Sequence, residues 1–196
     1  MQDINLETMT ASEACHHALK VIQGRWPEGE SIIAQDYFES YCYALGTGQG
    51  RFKEGEKAIA QNAQYSHHYA REVIKGRFPE GEDTIAKDAK MAYCYAVNII
   101  KGRWPKGEPA IAQHIPWACE YAHDVIGGRF IEAEFTIVQS QTYRGFYIDK
   151  FFPGQIVIIK DETNAFEWDR LGIEGCFATE DMFKRPASLL DMVIEQ

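Results

Sequence analysis

The sequence predicts a mainly α-helical protein of tandem two-helix repeats, arranged as an α-solenoid or a compact curved bundle, with a small α+β cap at the C-terminus. Two observations favour this fold class. A seven-residue motif returns every 26 residues without insertion, and each interval holds apolar residues at helical spacing. Copies at a constant interval dock on one another in the same way. We therefore assign residues 1–150 to the repeats and residues 151–196 to the cap.

Each copy of the motif begins with Gly and Arg, continues with an aromatic residue and ends in an acidic segment. The five copies read GRWPEGE, GRFKEGE, GRFPEGE, GRWPKGE and GRFIEAE, and they start at Gly24, Gly50, Gly76, Gly102 and Gly128. A half-copy over residues 11–23 precedes them, because its ALKVI segment matches AREVI in a later copy. The glycine follows an apolar helical run, where a residue of left-handed conformation would end the helix.

A short helix is predicted directly after the corner that the motif forms. Pro27, Pro79 and Pro105 open it in three copies, because the missing proline N–H costs little at the first helical position. Glutamates in its first turn interact favourably with the helix dipole. One isoleucine per copy supplies its core contact: Ile33, Ile59, Ile85, Ile111 and Ile137. We expect about two helical turns.

A long helix of about three turns completes each copy and begins at a capping position. That position is filled by Asp36, Asn62, Asp88, His114 and Ser140. The oxygen-bearing side chains among them can accept a free backbone N–H of the first turn. Tyr65, Tyr69 and Val73 follow at intervals of four, as on the buried face of a helix.

The first copy departs from the pattern at residues 46–49, which read Gly-Thr-Gly-Gln where a later copy has apolar residues before its glycine. Glycine costs about 1 kcal/mol relative to alanine inside a helix. We therefore expect a bend or a mobile seam between the first and second copies.

The C-terminal segment loses the repeat pattern. Residues 155–160 (QIVIIK) and 173–178 (IEGCFA) are predicted to be strands separated by a polar loop, and Thr179 caps a short helix. Two strands alone are not stable in water, so this segment should pack on the last repeat. A cap of this kind also stops further stacking of repeats.

The block YAREVIKGRFPEGE resembles tandem repeats in proteins of tailed phages and prophages. The resemblance covers residues 11–148 and implies a phage origin, without implying an activity. The segments FFPGQIVIIKD and GIEGCFATEDMF resemble pieces of an SH3-like barrel, although they are too short for a complete five-stranded one.

Charge and composition limit the class of function. The net charge is −9, with a balance of −5 over residues 153–196 (four basic and nine acidic) and −4 over residues 1–152 (sixteen and twenty). Such a chain should repel a phosphate backbone. The five cysteines show no C-x-x-C spacing, and no segment has the pattern of a signal peptide or membrane span. We expect a cytoplasmic protein, in the host cytoplasm if it is phage-encoded.

The recurring Arg and aromatic residues allow two interpretations. They could line a groove for a nucleotide-like anion, or they could hold the helix corners together. The ligand hypothesis names Arg25, Arg51, Arg77, Arg103, Arg129, Trp26 and Trp104. Recurrence in every copy favours the structural interpretation, since recognition usually falls on positions that differ.

No catalytic or metal-binding motif is present, so we predict neither enzymatic activity nor a cofactor. The pairs His16-His17 and His67-His68 point about 100° apart on a helix, which does not make a ready metal site.

The leading functional hypothesis is therefore a protein-binding repeat protein that engages a host or phage protein, with inhibition of a host defence protein as one setting. Alternatives are a binder of a nucleotide-like anion and an acidic nucleic-acid mimic. Candidate contacts are the long-helix positions that differ between copies, such as Phe38 and Leu45, and the acidic loop residues Glu162, Phe166, Glu167, Trp168 and Asp169.

Overall fold

The computed structural model describes residues 6–153 and the backbone of residues 156–160, 166–167 and 193–195. Over this range the chain is mainly helical, which confirms the coarse prediction. The chain forms two compact units, Met1–Ile111 and Ala112–Gln196. The division falls inside the fourth copy, whereas the sequence pattern changes near residue 150.

Short and long helices alternate along the first unit. Its helices are α1 (Ala11–His17), α2 (Pro27–Ile33), α3 (Tyr37–Thr47), α4 (Lys53–Ile59), α5 (Ala63–His68), α6 (Pro79–Ile85), α7 (Ala89–Tyr95) and α8 (Glu108–Ala112), the last of which reaches the second unit. π-Helical segments extend three of the long helices: Ala18–Ile22 after α1, Tyr69–Ile74 after α5 and Ala96–Ile100 after α7.

The second unit contains three further helices and a small antiparallel sheet. The helices are α9 (Ile115–Tyr121), extended by the π-helical segment Ala122–Ile126, α10 (Ile131–Val138) and α11 (Gln141–Phe151). The strands are β1 (Ile156–Lys160), β2 (Phe166–Glu167) and β3 (Val193–Glu195), in the order β2-β1-β3, with Ile159 opposite Glu167 and Val157 opposite Ile194. The predicted strand at 173–178 and the helix after Thr179 lie outside the described residues.

The long helices begin where the capping residues predicted. Asp36, Asn62, Asp88 and Ser140 each accept a backbone N–H of the first turn through a side-chain oxygen. His114 occupies the same position without a side-chain hydrogen bond. In the half-copy, Thr10 and Glu13 form a reciprocal capping box ahead of α1.

The ends of the long helices differ from the prediction that the motif glycine takes the left-handed conformation. In four copies the residue before it does so instead: Gln23, Lys75, Lys101 and Gly127, with φ from 56° to 64°. The π-helical segment explains the shift, because its wider turn accommodates one more residue before the chain reverses. The N–H of Gly76, for example, donates to the carbonyl of Ala70 at 3.0 Å.

The first copy ends its long helix in another way. α3 remains α-helical through Thr47, and left-handed Gly48 (φ 64°) and Gly50 (φ 82°) form the reversal. A β-carbon on Gly46 would lie 2.8 Å from a methyl carbon of Leu19. The glycines expected to form a bend therefore permit a close approach of α3 to the segment after α1 and a shorter reversal.

The core consists of side chains that recur in every copy. One tyrosine per long helix and one isoleucine per short helix are at most 1% exposed: Tyr43, Tyr69, Tyr95, Tyr121 and Tyr147, and Ile33, Ile59, Ile85, Ile111 and Ile137. The motif aromatics Trp26, Phe52, Phe78, Trp104 and Phe130 are at most 8% exposed. Glycine in the short helix brings these layers together, since a β-carbon on Gly81 would lie 2.6 Å from both the Phe78 ring and the Ser66 hydroxyl.

Substitution of Gly81 tests this close approach. Alanine ordinarily favours a helix over glycine, but here Gly81→Ala should lower the free energy of unfolding by about 1–3 kcal/mol because the added carbon overpacks the core. Gly102→Ala is the matched control, since a β-carbon there has nothing within 4 Å. Urea unfolding of both variants measures the difference, and equal stability would contradict the packing described.

Candidate functional site

A hydrogen-bonded network occupies the corner between each short helix and its motif. In the second copy, Arg51 donates from Nε to Glu56 Oε1 at 2.6 Å and from a terminal nitrogen to Oε2 at 2.8 Å. The Tyr69 hydroxyl donates to Glu56 Oε1 at 3.0 Å and accepts the Phe52 N–H at 2.8 Å. This corner network therefore joins the motif, α4 and the long helix that follows.

The same arrangement recurs in other copies. The equivalent sets are Trp26 with Arg25, Glu30 and Tyr43, Phe78 with Arg77, Glu82 and Tyr95, and Phe130 with Arg129, Glu134 and Tyr147. In the fourth copy, Arg103 likewise holds Glu108 through two hydrogen bonds of 2.8 Å. The recurring glutamates are at most 9% exposed.

Burial and charge keep the network in one protonation state. The Arg77 hydrogen bond is the largest influence on Glu82 and, against desolvation, holds the pKa of that carboxyl below its ordinary value. Burial raises the pKa of Tyr95 to about 12, so its hydroxyl remains a donor at neutral pH. The corner of the third copy therefore contains a carboxylate that accepts from a guanidinium and a phenol.

These contacts favour the structural interpretation of the predicted ligand residues. The guanidinium of each recurring Arg is already held by a buried glutamate, and Arg25 and Arg51 also face Glu54 at 3.7 Å and Glu80 at 3.6 Å in the next copy. Trp26 and Trp104 are 8% and 4% exposed, which leaves little ring surface for stacking. Binding of a nucleotide-like anion by the recurring arginines stays a prediction.

Removing one hydroxyl tests the corner network. Tyr69→Phe leaves the buried Phe52 N–H without its acceptor and removes one of the donors to Glu56, so the free energy of unfolding should fall by about 1–3 kcal/mol. Tyr65→Phe on the same helix is the control, because the Tyr65 hydroxyl forms no hydrogen bond among the described residues, and its effect should stay within about 0.5 kcal/mol. Thermal and urea unfolding compare the two, and a neutral Tyr69→Phe would refute the role of the hydroxyl.

A second feature lies on the opposite, solvent-facing side of the long helices. Two long-helix positions vary from copy to copy and give ten residues: Phe38, Gln64, Lys90, Pro116 and Thr142, and Leu45, Arg71, Val97, His123 and Asp149. Nine of them are exposed, and Pro116 is half-buried. Three of the exposed ones carry apolar side chains: Phe38 at 44%, Leu45 at 45% and Val97 at 37%. The motif aromatics and glutamates thus face inward, whereas nine of these ten differing residues face solvent.

Aromatic rings from α3 and α5 gather around Tyr65 on this surface. The Tyr65 ring centroid lies 5.3 Å from Tyr37, 5.5 Å from Phe38, 5.5 Å from Tyr41 and 6.3 Å from His68. We refer to these five residues as the aromatic cluster. They lie in neighbouring copies, and Tyr37 is itself 39% exposed.

One edge of the aromatic cluster borders an open cavity of about 470 Å³, here named the α3 cavity. Its lining consists of Thr10, Ala11, Ser12, Asp36, Tyr37, Phe38, Glu39 and Tyr65. The opposite edge carries an ionic group, because the Tyr41 hydroxyl donates to Glu72 and Arg71 pairs with the same carboxylate at 2.5 Å. Burial and the Glu72 contact raise the pKa of Tyr41.

His67 lies next to the aromatic cluster but points into the protein, where it is 3% exposed. Neither of its ring nitrogens has a hydrogen-bond partner within the described part of the chain. Burial, followed by the neighbouring His68 and Arg71, lowers the pKa of His67 to about 4, while Glu72 and the Cys94 backbone oppose the shift only weakly. The imidazole is therefore neutral when folded.

His67 should make the protein sensitive to mild acid. Its pKa is lower folded than unfolded, so protonation favours unfolding, and stability falls as pH drops from about 6.5 towards 4. Between pH 8 and pH 4.5 the loss should reach about 2–3 kcal/mol. Glu82, by contrast, has a pKa that is lower in the folded state than its ordinary value, so its stabilising effect is lost only as pH falls below about 4.5.

The variant His67→Tyr, which carries the residue found at this position in the preceding and following copies (Tyr41 and Tyr93), should flatten the pH dependence above 4.5. Urea unfolding across pH 4.5–8 measures this. An unchanged slope in the variant would show that His67 is not the responsible group.

The predicted acidic-loop contacts are only partly placed. Phe166 and Glu167 belong to strand β2, and Glu162, Trp168 and Asp169 lie outside the described residues. Their role in partner binding stays a prediction.

Of the five residues of the aromatic cluster, the sequence indicated only Phe38, as one of the positions that differ between copies. A comparison of neighbouring positions would have added Tyr37, which stands where the next two copies have Ala63 and Ala89.

Among the described residues no three potential ligands converge on a metal position, and none of their helices has the length and apolarity needed to cross a membrane. Comparison with protein-family models, curated proteins and solved structures gives no match.

Proposed function

We propose that the chain is a non-enzymatic protein-binding repeat protein that contacts its partner through the exposed side of the long helices, centred on the aromatic cluster. The supporting observation is that recurring and differing residues lie in different environments. The recurring aromatic, tyrosine, isoleucine and glutamate side chains are buried, and the recurring arginines are bound to those glutamates, whereas nine of the ten differing residues are exposed. A scaffold needs the first set unchanged, and recognition needs the second set to vary.

The apolar side chains among the exposed differing residues favour a binding role over the alternative that these positions simply tolerate substitution. A free surface favours polar residues, yet α3 exposes Phe38 and Leu45 on the face it shares with Tyr41, at spacings of three and four residues. The second copy has Gln64 and Arg71 at the positions of Phe38 and Leu45, so the fold does not require apolar side chains there. Aromatic residues concentrated in one exposed patch are typical of interface anchors.

The alternatives have less support. The arginines that would hold a nucleotide-like anion are engaged by glutamates, and those glutamates are buried, so they are not displayed as an imitation of phosphates. The resemblance to repeats of tailed phages makes a host or phage protein the first class of partner to test. Inhibition of a bacterial defence protein fits that setting.

An affinity purification with three baits tests the proposal. The wild-type chain should recover a stoichiometric protein from the cytoplasm of a bacterial host. A face variant, Phe38→Gln with Leu45→Arg, carries the residues of the second copy and should lose that protein. The control Phe135→Gln with Ile131→Arg makes the same chemical changes on α10, where these side chains are 43% and 65% exposed, and should retain it.

The proposal fails if the wild-type bait recovers no stoichiometric protein, or if the face variant recovers the same amount. Loss from the control as well as from the face variant would also contradict it, because binding would then follow general surface apolarity. Circular dichroism of all three baits establishes equal folding before the comparison.

A further inference from the structure

We infer that the α3 cavity receives a cationic side chain, Arg or Lys, from a partner protein. The inference rests on the proposed function and names the chemistry of its contact. It depends on three properties of the cavity: the arrangement of the rings, the charge of the lining, and the absence of both features from neighbouring copies.

The rings leave aromatic surface open to a ligand. Tyr37 and Phe38 meet Tyr65 at interplanar angles of 42° and 72°, so the three rings are splayed rather than stacked. Tyr37 and Phe38 remain 39% and 44% exposed in this arrangement. The negative potential on the face of an aromatic ring attracts ammonium and guanidinium groups within about 6 Å of its centroid.

The charge of the lining selects a cation over an anion. Asp36 and Glu39 contribute carboxylates, and the lining includes no Lys or Arg. Asp36 Oδ1 accepts the N–H groups of Phe38 and Glu39 at 2.8 and 2.9 Å, and the Thr10 hydroxyl accepts the N–H of Glu13. Those caps occupy N–H groups at the starts of α3 and α1 that an anion would otherwise use.

Glu39 supplies the charge that is free to pair. Its side chain is half-buried in the cavity wall, and in the described part of the chain no Lys, Arg or His forms an ion pair with its carboxylate. The neighbouring Cys15 thiol is only a weak hydrogen-bond donor to it. A half-buried carboxylate beside exposed rings is poorly hydrated on one side, and a guanidinium can pair with it while lying against the rings.

The combination is confined to this one place in the first unit. Where α3 has Tyr37, Phe38 and Glu39, the second copy has Ala63, Gln64 and Tyr65, and the third has Ala89, Lys90 and Met91. Neither copy places two exposed aromatic residues next to an acidic one. The repeat fold therefore forms without this arrangement, which favours a binding role.

Titration with short peptides tests the inference on the full-length chain. The probe is the acetylated, amidated tetrapeptide Gly-Arg-Arg-Gly, and the neutral comparison is Gly-Gln-Gln-Gly. Nuclear magnetic resonance follows the ring signals of Tyr37, Phe38 and Tyr65. The arginine peptide should shift them saturably, whereas the glutamine peptide should not.

Three variants assign the effect to the cavity. Tyr37→Ala with Phe38→Gln introduces the residues of the second copy and should raise the dissociation constant of the arginine peptide by about fivefold. Glu39→Gln should raise it by a similar factor. In the double variant, the remaining Tyr65 signals and the peptide's own signals report binding. Glu28→Gln removes an equal charge from exposed α2 and should leave the dissociation constant unchanged.

Equal binding of both peptides would overturn the inference, as would an unchanged dissociation constant in the double variant. Sedimentation velocity addresses a different occupant: a wild-type dimer that dissociates in the double variant would show that a second copy of the chain fills the cavity, against the inference. The two proposals fail separately. If a partner is recovered and its binding depends on Leu45 but not on the cavity, the result supports the proposed function alone. If the arginine peptide binds but no partner is recovered, the result supports the cavity alone.

Discussion

The structure depends on the buried hydroxyl of one tyrosine per repeat. In the second copy, Tyr69 reaches from the long helix to a motif backbone N–H and to the glutamate of the preceding short helix. Without the hydroxyl the motif N–H would be buried without a partner, which costs more than a single hydrogen bond normally contributes, and the buried glutamate would keep only its arginine. Because the recurring Arg side chains are 33–60% exposed, water screens the ion pair, and the tyrosine is the stronger constraint.

This constraint explains why the repeat interval is so strict. The tyrosine and glutamate of one network are separated by 13 residues, and the tyrosine and motif N–H by 17. An insertion in the short helix or the turn after it would move the hydroxyl away from both partners. Variation is therefore confined to side chains that face solvent, where the aromatic cluster is found.

Much of the fold could be predicted from sequence because its determinants are local. Capping residues, prolines and the spacing of apolar residues lie within one copy, and they placed the starts of the long helices correctly at Asp36, Asn62 and Asp88. The π-helical segments were missed because each is a single wider turn at the end of an α-helix, too short to change the α-helical spacing of apolar residues that the sequence displays. The left-handed residue was assigned one position late for the same reason.

The candidate site was less predictable because it joins different copies. Tyr37 and Tyr41 meet Tyr65 across 28 and 24 residues of sequence, and no motif spacing indicates that contact. The burial of His67 was also missed, since Tyr41 and Tyr93 at the equivalent positions are only half-buried. The recurring Arg residues were identified correctly as a set, and their pairing with glutamate was one of two interpretations left open.

Hydrogen exchange of individual backbone amides tests the central role of the tyrosine hydroxyl most directly. The motif N–H groups of Trp26, Phe52, Phe78 and Phe130 donate to tyrosine hydroxyl oxygens at 2.7–2.9 Å rather than to the carbonyl of a helix or strand. They should exchange as slowly as amides in the centres of the long helices, through global unfolding of their unit. Exchange at the rate of exposed loop amides would contradict the account.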